Sequence, residues 1–157
     1  MIRTVLAFAI LVVLHYTLRP FLGWRTPPDF LIIALLIAAV RVRPGAAAFI
    51  GFLMGLFADS LSIAAFGSSA LAMSVVGFSA AWLKAVFFAD NLVLNGFFFF
   101  AGKWLFDLLF LLVEQRVHGL ELLQQLALWS VLSAAVTALA GVLMLVVLRP
   151  LLQEAPA

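Results

Sequence analysis

The sequence predicts an all-α membrane protein, a compact bundle of about six transmembrane helices. Of its 157 residues, 67% are hydrophobic and 10% are charged, whereas a soluble domain is about half apolar and a quarter charged. Apolar runs such as FLIIALLIAAV show no alternation of apolar and polar residues, which the strands of a membrane barrel would require. Helices are then the way in which the backbone satisfies its hydrogen bonds inside a bilayer.

Six apolar segments approach the length of about 20 residues that a spanning helix needs. We predict spans over residues 2–18, 26–42, 44–63, 67–84, 91–113 and 127–148, forming one integral membrane domain over residues 1–157. The first segment resembles a signal sequence, but no small-x-small cleavage site follows it, so we interpret it as a retained span. The polar stretch 114–125 is predicted to lie flat at the membrane interface.

Proline and arginine mark the predicted turns. In TPPD, Thr26 is expected to cap the second helix, with Asp29 at the position of a capping-box acid. In RVRPG, residues 41–45, a proline suited to the first helical turn follows two arginines. With the N-terminus in the cytoplasm, the basic residues divide five to three in favour of the inner side, so both termini are expected to be cytoplasmic. The inner set is Arg3, Arg41, Arg43, Lys84 and Arg149; the outer set is Arg19, Arg25 and Arg116.

The sequence lacks the residues and motifs that several classes of protein require. Cysteine is absent, and the two histidines are not at metal-ligand spacing. The sequence holds no GxSxG, HExxH or phosphate-loop motif. No basic run indicates nucleic-acid binding. We therefore predict a protein that is not an enzyme and carries no cofactor or metal.

The stretch GFLMGLFADS, residues 51–60, places Gly51, Gly55 and Asp59 on one face of a helix because they are spaced by four. Small residues allow another helix to approach closely, so this face is expected to point Asp59 into protein rather than lipid. Asp59 has two interpretations: it accepts hydrogen bonds from the following SLS and FGSS segments, or it meets a cation on another helix or subunit. Similar small stripes, including Gly77 in span four, are expected mainly to pack within the bundle and partly to receive helices of other proteins.

Lys103 and Asp107 are one turn apart inside span five. An ion pair along the helix would neutralise both charges. Ionisable residues inside a membrane are otherwise candidates for an ion path or a partner contact. Both interpretations stay open at the level of sequence.

The order of motifs resembles the bacterial rod-shape-determining MreD family. The resemblance covers residues 27–83 and depends on PPDF, the basic Pro-Gly turn, GFLMGLFADS, AFGSSAL and GFSAAWL. The family's Pro-Asp pair corresponds to Pro28 and Asp29. Its Gly-Leu-x-x-Asp motif corresponds to residues 55–59, and a later family glycine corresponds to Gly67.

The resemblance implies a non-enzymatic scaffold in the bacterial inner membrane that serves the elongasome, the machinery of lateral peptidoglycan synthesis. It implies an MreC-like single-span partner and, more widely, a RodA-like glycosyltransferase, a class B penicillin-binding transpeptidase and an MreB-like filament. It also implies similarity to the substrate-binding subunits of energy-coupling-factor transporters. A small-solute, vitamin-like binding subunit of a transporter is therefore the alternative, with Lys103, Asp107 and Asn95 as candidate ligand groups.

Overall fold

The computed structural model of the protein describes residues 9–17, 27–61, 66–87, 91–114 and 119–152. These residues form helices and turns, and none of them lies in a strand. The helices are α1 (residues 9–17), α2 (Phe30–Ala39), α3 (Pro44–Ser60), α4 (Ser68–Phe87), α5 (Leu92–Glu114), α6 (Leu120–Gln124) and α7 (Val131–Leu152). A π-helix, Gln125–Ser130, joins α6 to α7.

The predicted all-α class is confirmed, and α3, α4 and α5 agree with the predicted spans within three residues at each end. The first prediction is matched over residues 9–17, while its residues 2–8 and 18 lie outside the described part. The interfacial stretch 114–125 is helical over Leu120–Gln124. That helix continues through the π-helix directly into α7, so the last span begins before the predicted residue 127.

Two of the described helical segments are long and apolar enough to cross a membrane. They are Leu92–Glu114 and Gln125–Leu148, with mean hydropathies of 1.8 and 2.6. Only 28% of the apolar window in each is buried in the bundle. A core helix of a soluble protein would be mostly buried, so the outward exposure of these apolar surfaces favours a lipid environment.

Helix α2 corrects the second predicted span, which covered residues 26–42. The helix has only 10 residues, about 15 Å of rise, and nine of them are buried. Residues of α2 contact α3, α4, α5 and α7. Its all-apolar sequence therefore reflects burial by other helices, with little surface left for lipid.

The glycine stripe of α3 packs against α4. A Cβ atom on Gly51 would overlap the backbone of Met73, and one on Gly55 would overlap the backbone of Ser69 and Ala70. From the opposite helix, a Cβ atom on Gly77 would lie 2.5 Å from the carbonyl oxygen of Ala47. The expectation that such stripes partly receive helices of other proteins is therefore wrong for these three glycines, because the backbone of the protein's own neighbouring helix fills the space. Packing within the bundle is the interpretation that the structure supports.

Among the residues that the structure describes, the charged side chains at the two ends of the bundle differ. At one end, the Lys84 ammonium donates to the carbonyl oxygen of Val42 at 3.0 Å, in the turn that also carries the exposed residues Arg41 and Arg43. Acidic side chains collect at the opposite end, where α3 and α5 finish and α2 and α4 begin. We call these the basic end and the acidic end.

Candidate functional site

A cavity of about 570 Å³ occupies the acidic end. It is lined by the last turns of α1, α3 and α5 and by the first turns of α2, α4 and α7 with the preceding π-helix. Representative lining residues are Tyr16, Ala58, Glu114, Pro27, Ser69 and Ser130. Successive passes therefore alternate in direction, which brings polar residues from distant parts of the chain to one place.

The charged cluster, defined as His15, Asp29, Lys103 and Asp107, lies on the wall of this cavity. The Lys103 ammonium donates to Asp107 Oδ1 at 2.6 Å and to Asp29 Oδ2 at 3.1 Å. His15 Nδ1 lies 3.4 Å from Asp29 Oδ1. The four side chains are between 7% and 15% exposed, so the charges are satisfied largely by one another, as charges away from water must be.

Lys103 is the middle residue of the 23-residue helix α5. Its ammonium also lies 4.9 Å from the centroid of the Phe106 ring, a distance at which a cation is attracted by the ring face. The sequence left open whether Lys103 pairs with Asp107 or with something else. The structure shows both the pair along the helix and a second carboxylate, Asp29, from α2.

Asp29 fixes the start of α2. Its carboxylate accepts from the Ile32 N–H at 3.4 Å, which makes it the N-cap residue. Its own N–H donates to the Thr137 hydroxyl of α7 at 3.1 Å. The expectation that Asp29 is a capping-box acid inside the helix is therefore wrong. Pro27 and Pro28 precede the helix, and a residue before proline is disfavoured in the helical region. The predicted cap, Thr26, lies outside the described residues.

Sequence reasoning missed three members of this site. His15 received no role, although a polar residue in an apolar span is expected to face the bundle interior. Ser130 forms a side-chain hydrogen bond with Asp107, and Thr137 is fully buried against Asp29. The two residues are seven apart, so they share one face of a helix. Their position on one helix face could be predicted from the sequence, but the residues to which they hydrogen-bond could not.

Asp59 forms a separate site at the start of α4. Its Oδ2 accepts from the N–H groups of Gly67 at 2.9 Å and Ala70 at 3.1 Å, and its Oδ1 accepts from the Ser69 N–H at 3.2 Å. Asp59 is 2% exposed. A carboxylate here satisfies N–H groups that have no partner inside the helix and interacts well with the helix dipole. Of the interpretation that Asp59 accepts hydrogen bonds from the SLS and FGSS segments, the FGSS part is confirmed. In the SLS segment, the Ser60 hydroxyl donates to the Phe57 carbonyl oxygen instead, and Ser62 lies outside the described residues.

Gly67 completes this cap. Its φ is +99°, a backbone conformation that residues with a side chain rarely adopt. The turn presents its N–H to Asp59 and leads directly into α4. The sequence-selected residues thus form two groups: Asp29, Lys103 and Asp107 meet in the charged cluster, while Asp59 and Gly67 make the cap. The helix glycines lie in the α3–α4 interface, and Pro28 is buried beside the N-cap of α2.

Replacing Asp59 with asparagine is expected to lower the free energy of unfolding by about 1–3 kcal/mol. Both carboxylate oxygens of Asp59 accept hydrogen bonds from backbone N–H groups, and asparagine would place an NH2 donor where one of these oxygens lies. Thermal unfolding of the purified protein in detergent measures the change. Glu121→Gln is the matched control, since Glu121 is exposed on α6 and its loss of charge should be nearly neutral. Equal effects of the two substitutions would contradict the capping role.

Among the residues that the structure describes, no three His, Cys, Asp or Glu side chains are placed to hold a metal ion. In the charged cluster, the Lys103 ammonium lies between the two aspartates. It occupies the position that a metal bridging them would take.

Comparison with known families identifies a match over nearly the whole chain. The model of the family described as rod shape-determining protein MreD matches residues 1–154. No curated protein and no solved structure matches the chain. The family match extends well beyond residues 27–83, over which the motifs indicated the resemblance. With 154 of its 157 residues matched, the chain belongs to the MreD family of rod shape-determining membrane proteins.

Proposed function

We propose that this chain is a non-enzymatic scaffold of the cell-elongation machinery, which binds an MreC-like single-span protein and so helps to maintain rod shape. The observation that carries the proposal is the family match over residues 1–154. The contacts of the charged cluster are consistent with it. Its lysine donates to one carboxylate of its own helix, α5, and to the carboxylate that caps α2, so these contacts tie two helices of the bundle together.

The partner helix would bind an outward apolar face rather than a glycine groove, since α3 and α4 already use their glycines on each other. One such face lies on α7, where four exposed side chains recur at helical spacing: Leu132, Leu139, Leu143 and Val147. Another lies on α3, with Phe49, Phe52, Leu53 and Phe57 exposed. In a bilayer, association across such faces depends on close packing, because lipid chains are as apolar as leucine.

In this proposal the chain crosses the bacterial inner membrane several times, with both termini in the cytoplasm. The positive-inside rule supports this orientation. Arg41, Arg43 and Lys84 gather at the basic end, which would face the cytoplasm. The acidic end and its cavity would then face the periplasm, where peptidoglycan is assembled. A RodA-like glycosyltransferase, a class B penicillin-binding transpeptidase and an MreB-like filament would belong to the wider assembly.

Co-purification from native membranes tests the scaffold role. The tagged chain, expressed as the sole copy in a rod-shaped bacterium of its source lineage, is expected to restore rods and to bring down a single-span MreC-like protein detected by mass spectrometry. A tagged multi-span protein of unrelated function is the control for trapping by detergent. Restored rods without any enriched single-span protein would overturn the partner proposal.

A second candidate is the small-solute binding subunit of a transporter, similar to those of energy-coupling-factor systems. The cavity beside Lys103 is the observation that favours it, because binding sites are concave and carry a few convergent polar groups. Deletion distinguishes the two functions. Loss of rod shape with unchanged vitamin uptake supports the scaffold, while the opposite result supports the transporter subunit.

A further inference from the structure

Two cations lie close together at the basic end. The Lys84 ammonium donates to the carbonyl oxygen of Val42 at 3.0 Å, and that carbonyl belongs to the peptide bond that leads into Arg43. Arg43 is exposed and is the N-cap residue of α3, but its side chain forms no capping hydrogen bond. Within the described part of the chain, neither Arg43 nor Lys84 forms an ion pair. We call these two residues the cation pair.

The cation pair keeps hydrogen-bond donors for an anion. An ammonium group has three N–H donors and a guanidinium group has five. The contact with Val42 uses one donor of Lys84, and no residue that the structure describes accepts from the Arg43 side chain. An anion with several oxygens would accept from both groups and would offset two like charges that lie beside each other.

An apolar groove of about 130 Å³ lies between α4 and α5. Its floor contains the buried side chains of Leu36 from α2, Val76 and Phe98, and its rim includes the exposed residue Ala101. Apart from Ser79, the side chains of its wall are apolar, and all the wall residues belong to α2, α4 or α5. An ordered water needs two or more polar partners, so an apolar chain fits this groove better than water does.

The cation pair and the groove are parts of one surface. Val76, Ala80 and Lys84 are spaced by four, so they share one face of α4, and Lys84 lies about 6 Å beyond Ala80 along the helix axis. On α2, the carbonyl oxygen of Leu36 accepts from the Val40 N–H at 3.3 Å, where the helix leads into the basic turn. Positive charge and an apolar groove therefore follow each other in the order in which a phospholipid carries its phosphate and its acyl chains.

Trp82 supports a position at the membrane surface. Its side chain is 71% exposed, and it precedes Lys84 by two residues, about 3 Å along α4. Exposed tryptophans are enriched at the level of the lipid headgroups. In a membrane protein, the cation pair would then lie at the depth of the phosphates, with the groove at the depth of the acyl chains.

We propose that this surface binds an anionic phospholipid, with the phosphate at Arg43 and Lys84 and one acyl chain in the groove between α4 and α5. Charge complementarity selects the headgroup, because a zwitterionic lipid brings a cation of its own to the same place. The inference depends on the chain lying in a membrane. It is independent of the MreC-like partner and of the transporter alternative.

Lipids that differ only in headgroup test the proposal on the purified, delipidated full chain in detergent. The probes are dioleoylphosphatidylglycerol, dioleoylphosphatidylcholine and glycerol 3-phosphate, which has the phosphate but no acyl chain. Native mass spectrometry measures binding. The phosphatidylglycerol is expected to bind with a Kd at least about tenfold lower than that of the phosphatidylcholine, and glycerol 3-phosphate should not bind at millimolar concentration. Equal affinity for the two lipids, or equally tight binding of glycerol 3-phosphate, would overturn the proposal.

Two variants locate the two parts of the site. Arg43→Gln removes an exposed cation and is expected to raise the Kd for dioleoylphosphatidylglycerol by about fivefold. Its control is Glu121→Gln, which also removes one exposed charge, but on α6, and should leave the Kd unchanged.

Ser79→Leu keeps every charge and fills part of the groove, since Ser79 lines it. It is expected to weaken binding of dioleoylphosphatidylglycerol by about tenfold, because the acyl chain loses the apolar surface that it would bury. Ser133→Leu is the matched control: it makes the same substitution at a serine that lines the cavity of the acidic end, and it should not change the affinity. Unchanged affinity in both Arg43→Gln and Ser79→Leu would show that the lipid binds elsewhere.

Discussion

Replacing Lys103 with methionine is expected to lower the free energy of unfolding by about 3–5 kcal/mol, because removing one partner from a buried ion pair leaves an uncompensated charge. Two carboxylates, Asp29 and Asp107, accept hydrogen bonds from the Lys103 ammonium, and both would lose this partner. Methionine fills a similar volume, so lost packing contributes little. The measurement is thermal or dodecyl-sulfate unfolding of the purified protein, together with its yield in the membrane.

The same cluster supplies a rescue. The double variant Lys103→Met with Asp107→Asn removes one cation and one anion, which leaves Asp29 beside His15. We expect it to be more stable than Lys103→Met alone, although it carries one more substitution. Lys84→Met is the matched control. Lys84 donates to a neutral acceptor, the carbonyl oxygen of Val42 at the basic end, so losing that hydrogen bond leaves no buried negative charge. If Lys103→Met were as stable as Lys84→Met, the charged cluster would not contribute to the stability of the fold.

Replacing Gly55 with leucine is expected to cause a second large loss of stability. The new side chain would overlap the backbone of Ser69 and Ala70 in the first turn of α4. A backbone held in a helix cannot rotate away as a side chain can, so the helices must separate. We expect a loss of about 3 kcal/mol or more, at the upper end of overpacking effects. The variant should appear in the membrane at strongly reduced level and with a lowered thermal midpoint.

Gly45→Leu is the matched control for this experiment. It makes the same substitution in the same helix, but a Cβ atom at Gly45 meets nothing within 4 Å. A stability close to that of the parent protein is expected. If Gly55→Leu were equally well tolerated and only the MreC-like partner were lost, the glycine face would be a partner groove and the described packing of α3 on α4 would be incorrect.

Composition and helical spacing were sufficient to predict the architecture of α3, α4 and α5. A glycine stripe requires a close neighbour, so the inward direction of Asp59 was also predictable. The sequence even narrowed the role of Asp59, since the FGSS segment supplies N–H groups at a helix start. The sequence could not predict which helix packs against the glycine stripe of α3. A helix face made of small residues can pack against a helix of the same protein or of a partner equally well.

The charged cluster exceeded what the sequence could predict. Lys103 and Asp107 are neighbours along one helix, so their pairing was one of the two interpretations that the spacing allowed. Asp29 is 74 residues away from Lys103, and only the packing of α2 on α5 brings them together. The shortness of α2 was equally hidden, because an apolar run has the same composition whether protein or lipid surrounds it.

Cysteine labelling in cells tests the central claim most directly, namely that the cavity lies at one end of the bundle and the basic turn at the other. The chain has no native cysteine, so single variants report without background. Ser133→Cys in the cavity wall is expected to react with a membrane-impermeant maleimide added from the periplasmic side. Gly45→Cys, next to the basic turn, should react only after the inner membrane is opened. Labelling of both positions from the same side would contradict the described arrangement of the helices.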